Sequence, residues 1–343
     1  MKKDLIFIFF LVISFLGRAQ ESQFSQFFAS SAYLNPGFVG LEPTTSLAIN
    51  HKSAVTDGEG ALKELSHVSV IHPIHKLTSF VSQSAGVGAT FVQEMSGYEG
   101  IYQTTQMLLA GAYVIRFDYE GKKLLSFGLQ GGIVQTRINT DDLRYGSQYN
   151  PYIGYDNTLA GEEFESYNHI APVFNYGMVY SYTDHHNPIL SQNSMTVGVS
   201  IHNINKPRDG FMSNERRPVQ LKAVATARKK TCAYYFLHPS AYVLYVKGSY
   251  QINGGLYLSR YVGAQLNTLL QIGSWYRHND SFIFLAGMRY QNWKVGFSFD
   301  LNSKAINQNE VLNIQTFDPT VEISFGYSFS FKDKLVRATN PLF

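Results

Sequence analysis

His67 and Ser69 stand two residues apart, so on an extended strand they share a face and their side chains could meet. A serine activated by a histidine base is the chemistry of acyl transfer, but it needs a third group to orient the base and an oxyanion site. The sequence supplies neither in a recognisable arrangement, and the expectation is a protein without enzymatic activity. His72 and His75 lie three apart and His185 and His186 are adjacent. Zinc needs three or four converging ligands, and Pro73 between the first pair marks a strand end, so these read as rim histidines. The stretch from Asn139 to Ala171 carries Asp141, Asp142, Asp156, Glu162, Glu163 and Glu165. A calcium loop needs oxygen ligands at fixed alternate positions and a glycine at its sharp turn; this stretch has no such spacing and reads as a solvated loop. No metal and no cofactor is expected.

These residues sit in a chain of 343 residues that is poor in charge, 15%, and rich in aromatics, also 15%, with 25 Phe, 23 Tyr and 28 Gly. That composition excludes disorder, which needs few aromatics and high net charge. The single cysteine, Cys232, excludes an intramolecular disulfide framework. A formal net charge of +3 gives no basis for nucleic-acid binding.

The first residues read as an export signal. Lys2 and Lys3 precede an apolar run from Leu5 to Leu16, and Gly17 and Ala19 supply small residues at the −3 and −1 positions of a cleavage site. The run is too short to span a bilayer as a helix. Cleavage after Ala19 makes Gln20 the first mature residue, and no cysteine follows the site to carry a lipid anchor. The expected division is a signal peptide over 1–19, an N-terminal segment over 20–43, one barrel over 44–331 and a tail over 332–343.

Beyond the signal, no stretch offers 18 consecutive apolar residues. Apolar and small or polar residues alternate with period two instead. Val321, Ile323, Phe325, Tyr327, Phe329 and Phe331 share one face, with Glu322, Ser324, Gly326, Ser328 and Ser330 opposite. Similar alternation runs through Phe174–Tyr182, Met195–Ile201 and Trp293–Phe299, and is blurred by Ile283 and Leu285 in Phe282–Tyr290. Alternation argues for strands with one apolar face. Intervening Gly, Ser, Thr, Gln and Asn suit a polar lumen, and Trp275, Tyr276, Tyr290 and Trp293 fall at strand ends, where interfacial girdles sit.

With only helices and closed barrels able to satisfy backbone groups in lipid, the fold class expected is all-β: a transmembrane antiparallel outer-membrane β-barrel. A secreted β-sandwich or propeller is the competing fold, but no internal repeat is visible. Strands are expected near 44–51, 64–72, 85–94, 103–116, 123–136, 172–182, 194–203, 219–228, 241–249, 254–260, 263–277, 281–290, 293–299 and 320–331. That makes about 14, or 12 if 254–277 holds fewer. With both termini in the periplasm, the long connections near 137–171, 204–218 and 300–319 face outward. Inward charge reads as sparse, Lys294 and Glu322 being the clearest cases, and inward Gly and Ser suggest a lumen filled by chain or a narrow pore. A sealed barrel offers no strand edge, so recognition is expected to fall to loops.

Just after the signal stands Gln23-Phe24-Ser25-Gln26-Phe27-Phe28, followed by Tyr33-Leu34-Asn35-Pro36-Gly37-Phe38-Val39-Gly40. Asn35-Pro36 and Gly40 are turn formers, and the aromatics between could dock on a barrel wall. This pair of elements resembles the N-terminal hallmark of the PorP/SprF family of type IX secretion system outer-membrane proteins. Leu125–Gly132 is similar to the family's Gly-rich middle strand, Pro172–Tyr182 to its Pro-aromatic-Gly-Tyr strand, and Trp293–Asp300 to its late strand before an Asp. There are departures: Asn50-His51-Lys52-Ser53 stands where an Arg-aromatic signature is frequent, Asp318-Pro319-Thr320-Val321 precedes Glu322, and the chain ends Asn340-Pro341-Leu342-Phe343. They point to a specialised paralogue with its own client.

The resemblance implies a non-enzymatic component of the secretion system. Its role would be secretion and surface attachment of a client adhesin, gliding-related in some members. Its partners would be an adhesin with a type IX C-terminal domain, the periplasmic lipoprotein ring of the machine and outer-membrane lipid. Gln23, Phe24, Ser25, Gln26, Phe27, Asn35, Pro36 and Gly40 are its motif residues, structural or partner-binding. The other function the sequence allows is a porin or substrate channel.

Overall fold

The structure is a computed structural model that describes residues 23–54, 61–75, 83–98, 100–139, 146–150, 152, 154–155, 167–185, 190–208, 216–263, 267–302 and 319–329. The expected signal peptide, the C-terminal tail, the acidic residues of the 139–171 connection and His186 lie outside the described residues.

Fourteen antiparallel strands close into one barrel. They are β1 (Thr45–Ala54), β2 (Ala61–His75), β3 (Gln83–Tyr98), β4 (Tyr102–Arg116), β5 (Lys123–Ile138), β6 (Tyr167–Thr183) and β7 (Asn193–His202). The circuit continues with β8 (Gln220–Cys232), β9 (Tyr235–Val246), β10 (Ser249–Val262), β11 (Thr268–Arg277), β12 (Ser281–Tyr290), β13 (Trp293–Asn302) and β14 (Thr320–Phe329). β14 pairs with β1 from Thr45 opposite Phe329 to Ala54 opposite Thr320, which removes the free edges of an open sheet. A two-residue hairpin, Tyr149–Asn150 with Gly154–Tyr155, sits in the β5–β6 connection. All fourteen expected strands are present in order, including the three across 241–277.

The period-two pattern sorts side chains as the sequence suggested. Outward positions are apolar and uncovered by protein: Leu109 is 71% exposed, Leu129 67% and Ile272 63%. Such a band is stable only against lipid. Outward aromatics cluster at both ends of the strands. Trp293 packs on Tyr327 with ring centroids 4.4 Å apart, and Tyr276 on Phe282 at 4.8 Å. Trp275, expected in the same girdle, instead points into the lumen and is buried, because β11 alternates and only its neighbour Tyr276 faces out. An arginine at Ile272, midway along β11, should destabilise the folded barrel by about 2–4 kcal/mol. Urea titration in a bilayer-forming lipid, read by heat-dependent gel mobility, would show it as a lowered midpoint, and an unchanged midpoint would mean that this face does not meet hydrocarbon.

Antiparallel order gives the barrel two unlike rims. One, the turn side, holds the start of β1, the end of β14 and short connections such as 117–122, 233–234 and 291–292. The other, the loop side, gathers the long connections 139–166, 203–219 and 303–319. The turn-side connection 184–192 is longer than its fellows, and Asp184 closes it. Its carboxylate accepts the amides of Asn193 at 2.8 Å and Gln192 at 3.0 Å and the Ser191 hydroxyl at 2.6 Å. Burial alone would raise this carboxyl; these hydrogen bonds outweigh it and hold Asp184 below the ordinary carboxylate range.

The wall is uneven, β2 to β6 running 15 to 17 residues and β11 to β14 only 10. β6 therefore overhangs β7, whose pairing begins at Tyr176, and leaves a stretch of strand edge that a uniformly sealed barrel would lack. The 203–219 connection covers part of it: Ile204 N donates to Phe174 O at 3.0 Å, and Asn205 Nδ2 to Pro172 O at 2.7 Å. Pro172 brings no N–H to this edge, the usual place for a strand proline.

Candidate functional site

The lumen is filled by the chain's own N-terminal segment. Gln23 to Leu41 runs through it as two 3₁₀ turns, Phe27–Ser30 and Pro36–Gly40, around a single α-helical turn, Ser31–Leu34. Phe24, Ser25, Gln26, Phe27, Asn35, Pro36 and Gly40 are all buried. The segment starts near the loop-side ends of β1, β11 and β13, not at the turn side where two periplasmic termini would place it, because it packs inside the lumen before it descends and passes into β1 at the turn side. The motif residues are thus brought together by the barrel, as a plug.

At the loop-side end the plug is held by charge. Glu322 accepts the backbone amides of Ser25 at 2.6 Å and Gln26 at 3.0 Å, and the Asn50 amide group at 2.8 Å. The Ser25 hydroxyl donates to Asp300 at 2.5 Å and accepts from Lys52 Nζ at 2.7 Å and Arg277 Nη2 at 3.1 Å. Lys52 also reaches the Gln23 carbonyl at 2.9 Å and Asp300 at 3.0 Å. Arg277 pairs with Asp280 at 2.9 Å and Asp300 at 3.4 Å. Burial would raise the Asp280 carboxyl in its turn, but the Arg277 guanidinium prevails and holds it low.

Inward charge is therefore not confined to Lys294 and Glu322. Lys52 and Asp300 were missed because β1 and β13 run past residues 51 and 299, the expected strand ends, and alternation then turns both side chains into the lumen. The one available signal is parity: Lys52 and Asp300 continue the inward series of Asn50 and Ser298.

Below this latch the plug is seated by shape and aromatic contact. Phe27 stacks on Tyr242 at 5.5 Å and meets Trp275 at 5.7 Å, and Phe28 meets Trp275 at 5.6 Å. Ile283 and Leu285 join the same cluster, so the residues that blurred the polar face of β12 are its answer to the plug. Full burial of a phenylalanine contributes about 2 kcal/mol relative to exposure.

Asn35 caps the second 3₁₀ turn through Gly37 N at 2.8 Å and reaches across the lumen to the carbonyls of Val199 at 2.9 Å and Met178 at 3.2 Å. The Ser126 hydroxyl donates to Gly37 O at 2.6 Å. Two wall glycines make room: a Cβ on Gly128 would stand 2.3 Å from the Pro36 carbonyl carbon, and one on Gly177 1.9 Å from Asn35 Oδ1.

The residues considered for catalysis are absorbed into this packing. His67 is buried and meets the Ser30 hydroxyl of the plug through Nδ1 at 3.2 Å, with the rings of Phe24 and Tyr33 against it. Ser69, two residues on, also faces the lumen, where it is buried on the cavity side of β2. His72 bonds Thr45 at 2.7 Å on the turn-side rim. Among the described residues no three His, Cys, Asp or Glu side chains converge as a metal site.

Among curated proteins, none matches the sequence. Of the solved structures, a FadL homologue from Pseudomonas aeruginosa is similar at 11% identity, with 88% of this chain and 94% of that one covered and a TM-score of 0.46. The CymD monoaromatic hydrocarbon channel is similar at 12% identity, covering 92% and 95%, with a TM-score of 0.45. A family model described as type IX secretion system membrane protein PorP/SprF matches residues 16–332. Nearly the whole chain is spanned by that match, including the plug and every strand of the closed barrel, and the protein belongs to the PorP/SprF family of type IX secretion system membrane proteins, built as an outer-membrane β-barrel.

Proposed function

We propose that this protein is a non-enzymatic partner of one secreted client, supporting its export and holding it at the cell surface while the barrel engages the secretion machine from the periplasm. The observation that carries the reading is the plug. A lumen occupied by Gln23–Leu41, latched by Glu322 and seated on Trp275, suits an anchor better than a diffusion channel. With the turn side in the periplasm, as is usual for barrels of this kind, the long connections face outward, where an adhesin bearing a type IX C-terminal domain would be held. Burial of most of the hallmark supports the periplasmic turns as the surface that meets the lipoprotein ring, and we read Gln23, Phe24, Ser25, Gln26, Phe27, Asn35, Pro36 and Gly40 as internal, structural residues.

Deleting the chain from its source bacterium should remove one large adhesin from the surface while general secretion continues, as read by surface proteomics. A tagged copy solubilised in mild detergent should carry that adhesin with it. Intact surface display in the deletion strain, together with impaired uptake of a small solute, would overturn the reading in favour of a channel.

A further inference from the structure

The plug does not fill the turn-side end of the lumen. Between Gln26, Phe28 and Ala29 on one side and the inner faces of β11 to β14, β1 and β2 on the other lies a cavity with an empty volume of about 750 Å³, part of it open to solvent. Gln26 forms its ceiling, donating to Glu322 O at 3.2 Å and accepting from the Ser324 hydroxyl at 2.6 Å. Its wall bears two cations, Arg289 and Lys294. They are directly opposed across the β12–β13 pair, an arrangement that destabilises a sheet unless something anionic lies between or above the two. Arg228, on the inner face of β8, is within electrostatic reach of Arg289. Arg289 is oriented by the Tyr261 hydroxyl at 2.9 Å, and Arg228 by the ring of Phe236, 3.7 Å from its centroid. On the plug and inner wall of this end, Glu42 is the only carboxylate among the described residues and lies near Lys294; Asp184, in the 184–192 turn at the rim, is within electrostatic reach of Arg228. Like charge has been gathered on rigid strands around a hollow.

We propose that this mouth binds a carboxylate-rich segment of a partner polypeptide, its acidic side chains seated against Arg289 and Lys294, with Arg228 drawing it in. A lipid headgroup fits less well, because these three side chains point into the lumen and the barrel wall separates them from the bilayer. Lys229 and Arg260, at the same end, point outward and would serve lipid instead. The side of the membrane that the mouth faces rests on the docking reading above. The site itself does not, and a test on purified protein separates failure of this site from failure of that reading, which the surface phenotype decides.

The probe is fluorescein-labelled hexaglutamate, with hexaglutamine as its neutral counterpart, titrated by fluorescence anisotropy with the purified barrel in neutral detergent. Hexaglutamate should bind and weaken as salt rises, and hexaglutamine should not bind. Arg289→Gln with Lys294→Gln should weaken binding by about tenfold per cation, while Lys229→Gln with Arg260→Gln should leave it unchanged. Glu42→Gln removes the competing internal carboxylate and should tighten binding, an effect that a misfolded barrel would not produce. Equal binding of both peptides, or equal loss from the inward and outward variant pairs, would overturn the proposal. So would a barrel indifferent to hexaglutamate whose inward variant loses binding to vesicles containing phosphatidylglycerol, which would make the mouth a lipid site.

Discussion

Replacing Glu322 by alanine should loosen the plug and give a barrel that conducts in brief steps where the parent is silent. The Glu322 carboxylate accepts two plug amides and Asn50, and lies opposite Lys52 across the β1–β14 pair. Its removal leaves two buried N–H groups without an acceptor, at roughly 1–3 kcal/mol each, and leaves the Lys52 charge compensated by Asp300 alone of the two carboxylates. The aromatic seat at Tyr242 and Trp275 survives the change, so the loop-side half of the plug should fluctuate while the rest stays. Planar-bilayer recording reads this directly, and limited proteolysis should find new cleavage between Gln23 and Phe27. Glu322→Gln keeps one acceptor oxygen and should fall between parent and alanine. A correctly folded alanine variant that stays silent and protease-resistant would show that the aromatic seat alone holds the plug.

The barrel was legible because period two is a local signal. Each strand declares its faces within a few residues, as in β14, where Glu322 and Ser324 point in and Ile323 points out. The plug was legible in its parts and not in its assembly. Gln23–Phe28 and Asn35–Gly40 stand out as motifs, and inward Gly and Ser suggest a filled lumen, yet nothing local says that Ser25 meets Asp300 or that Gly37 meets Ser126, 275 and 89 residues away. Such contacts are fixed by closure of the whole sheet. Trp275 fell on the wrong side for a related reason: aromatics at strand ends serve lipid interfaces and internal seats alike, and only the neighbour's parity separates them. Two of the positions at which the chain departs from its family, Asn50 and Lys52, bond Glu322 and Ser25. A stretch that reads from sequence as the mark of a particular client is, in the structure, part of the latch that holds the plug.

A side chain at Gly128 should dislodge the lower half of the plug, and do so only while the plug is there. The Cβ of an alanine would stand 2.3 Å from the carbonyl carbon and 2.5 Å from the Gly37 nitrogen, both backbone atoms that cannot rotate aside. The Pro36–Gly40 turn must then lift, straining the bonds from Asn35 to Val199 and from Ser126 to Gly37. Overpacking of this kind costs roughly 1–3 kcal/mol, and the expected result for Gly128→Ala is a lower unfolding temperature with faster cleavage of the plug. Gly111→Ala is the matched control, because a Cβ there meets nothing within 4 Å. Deleting residues 23–41 should reverse the sign: with no plug to strike, alanine fits a strand better than glycine does, and Gly128→Ala should become neutral or mildly stabilising. That change of sign is a coupling energy between wall and plug. If Gly128→Ala were equally damaging with and without residues 23–41, the glycine would be serving the strand itself and not the segment that fills the lumen.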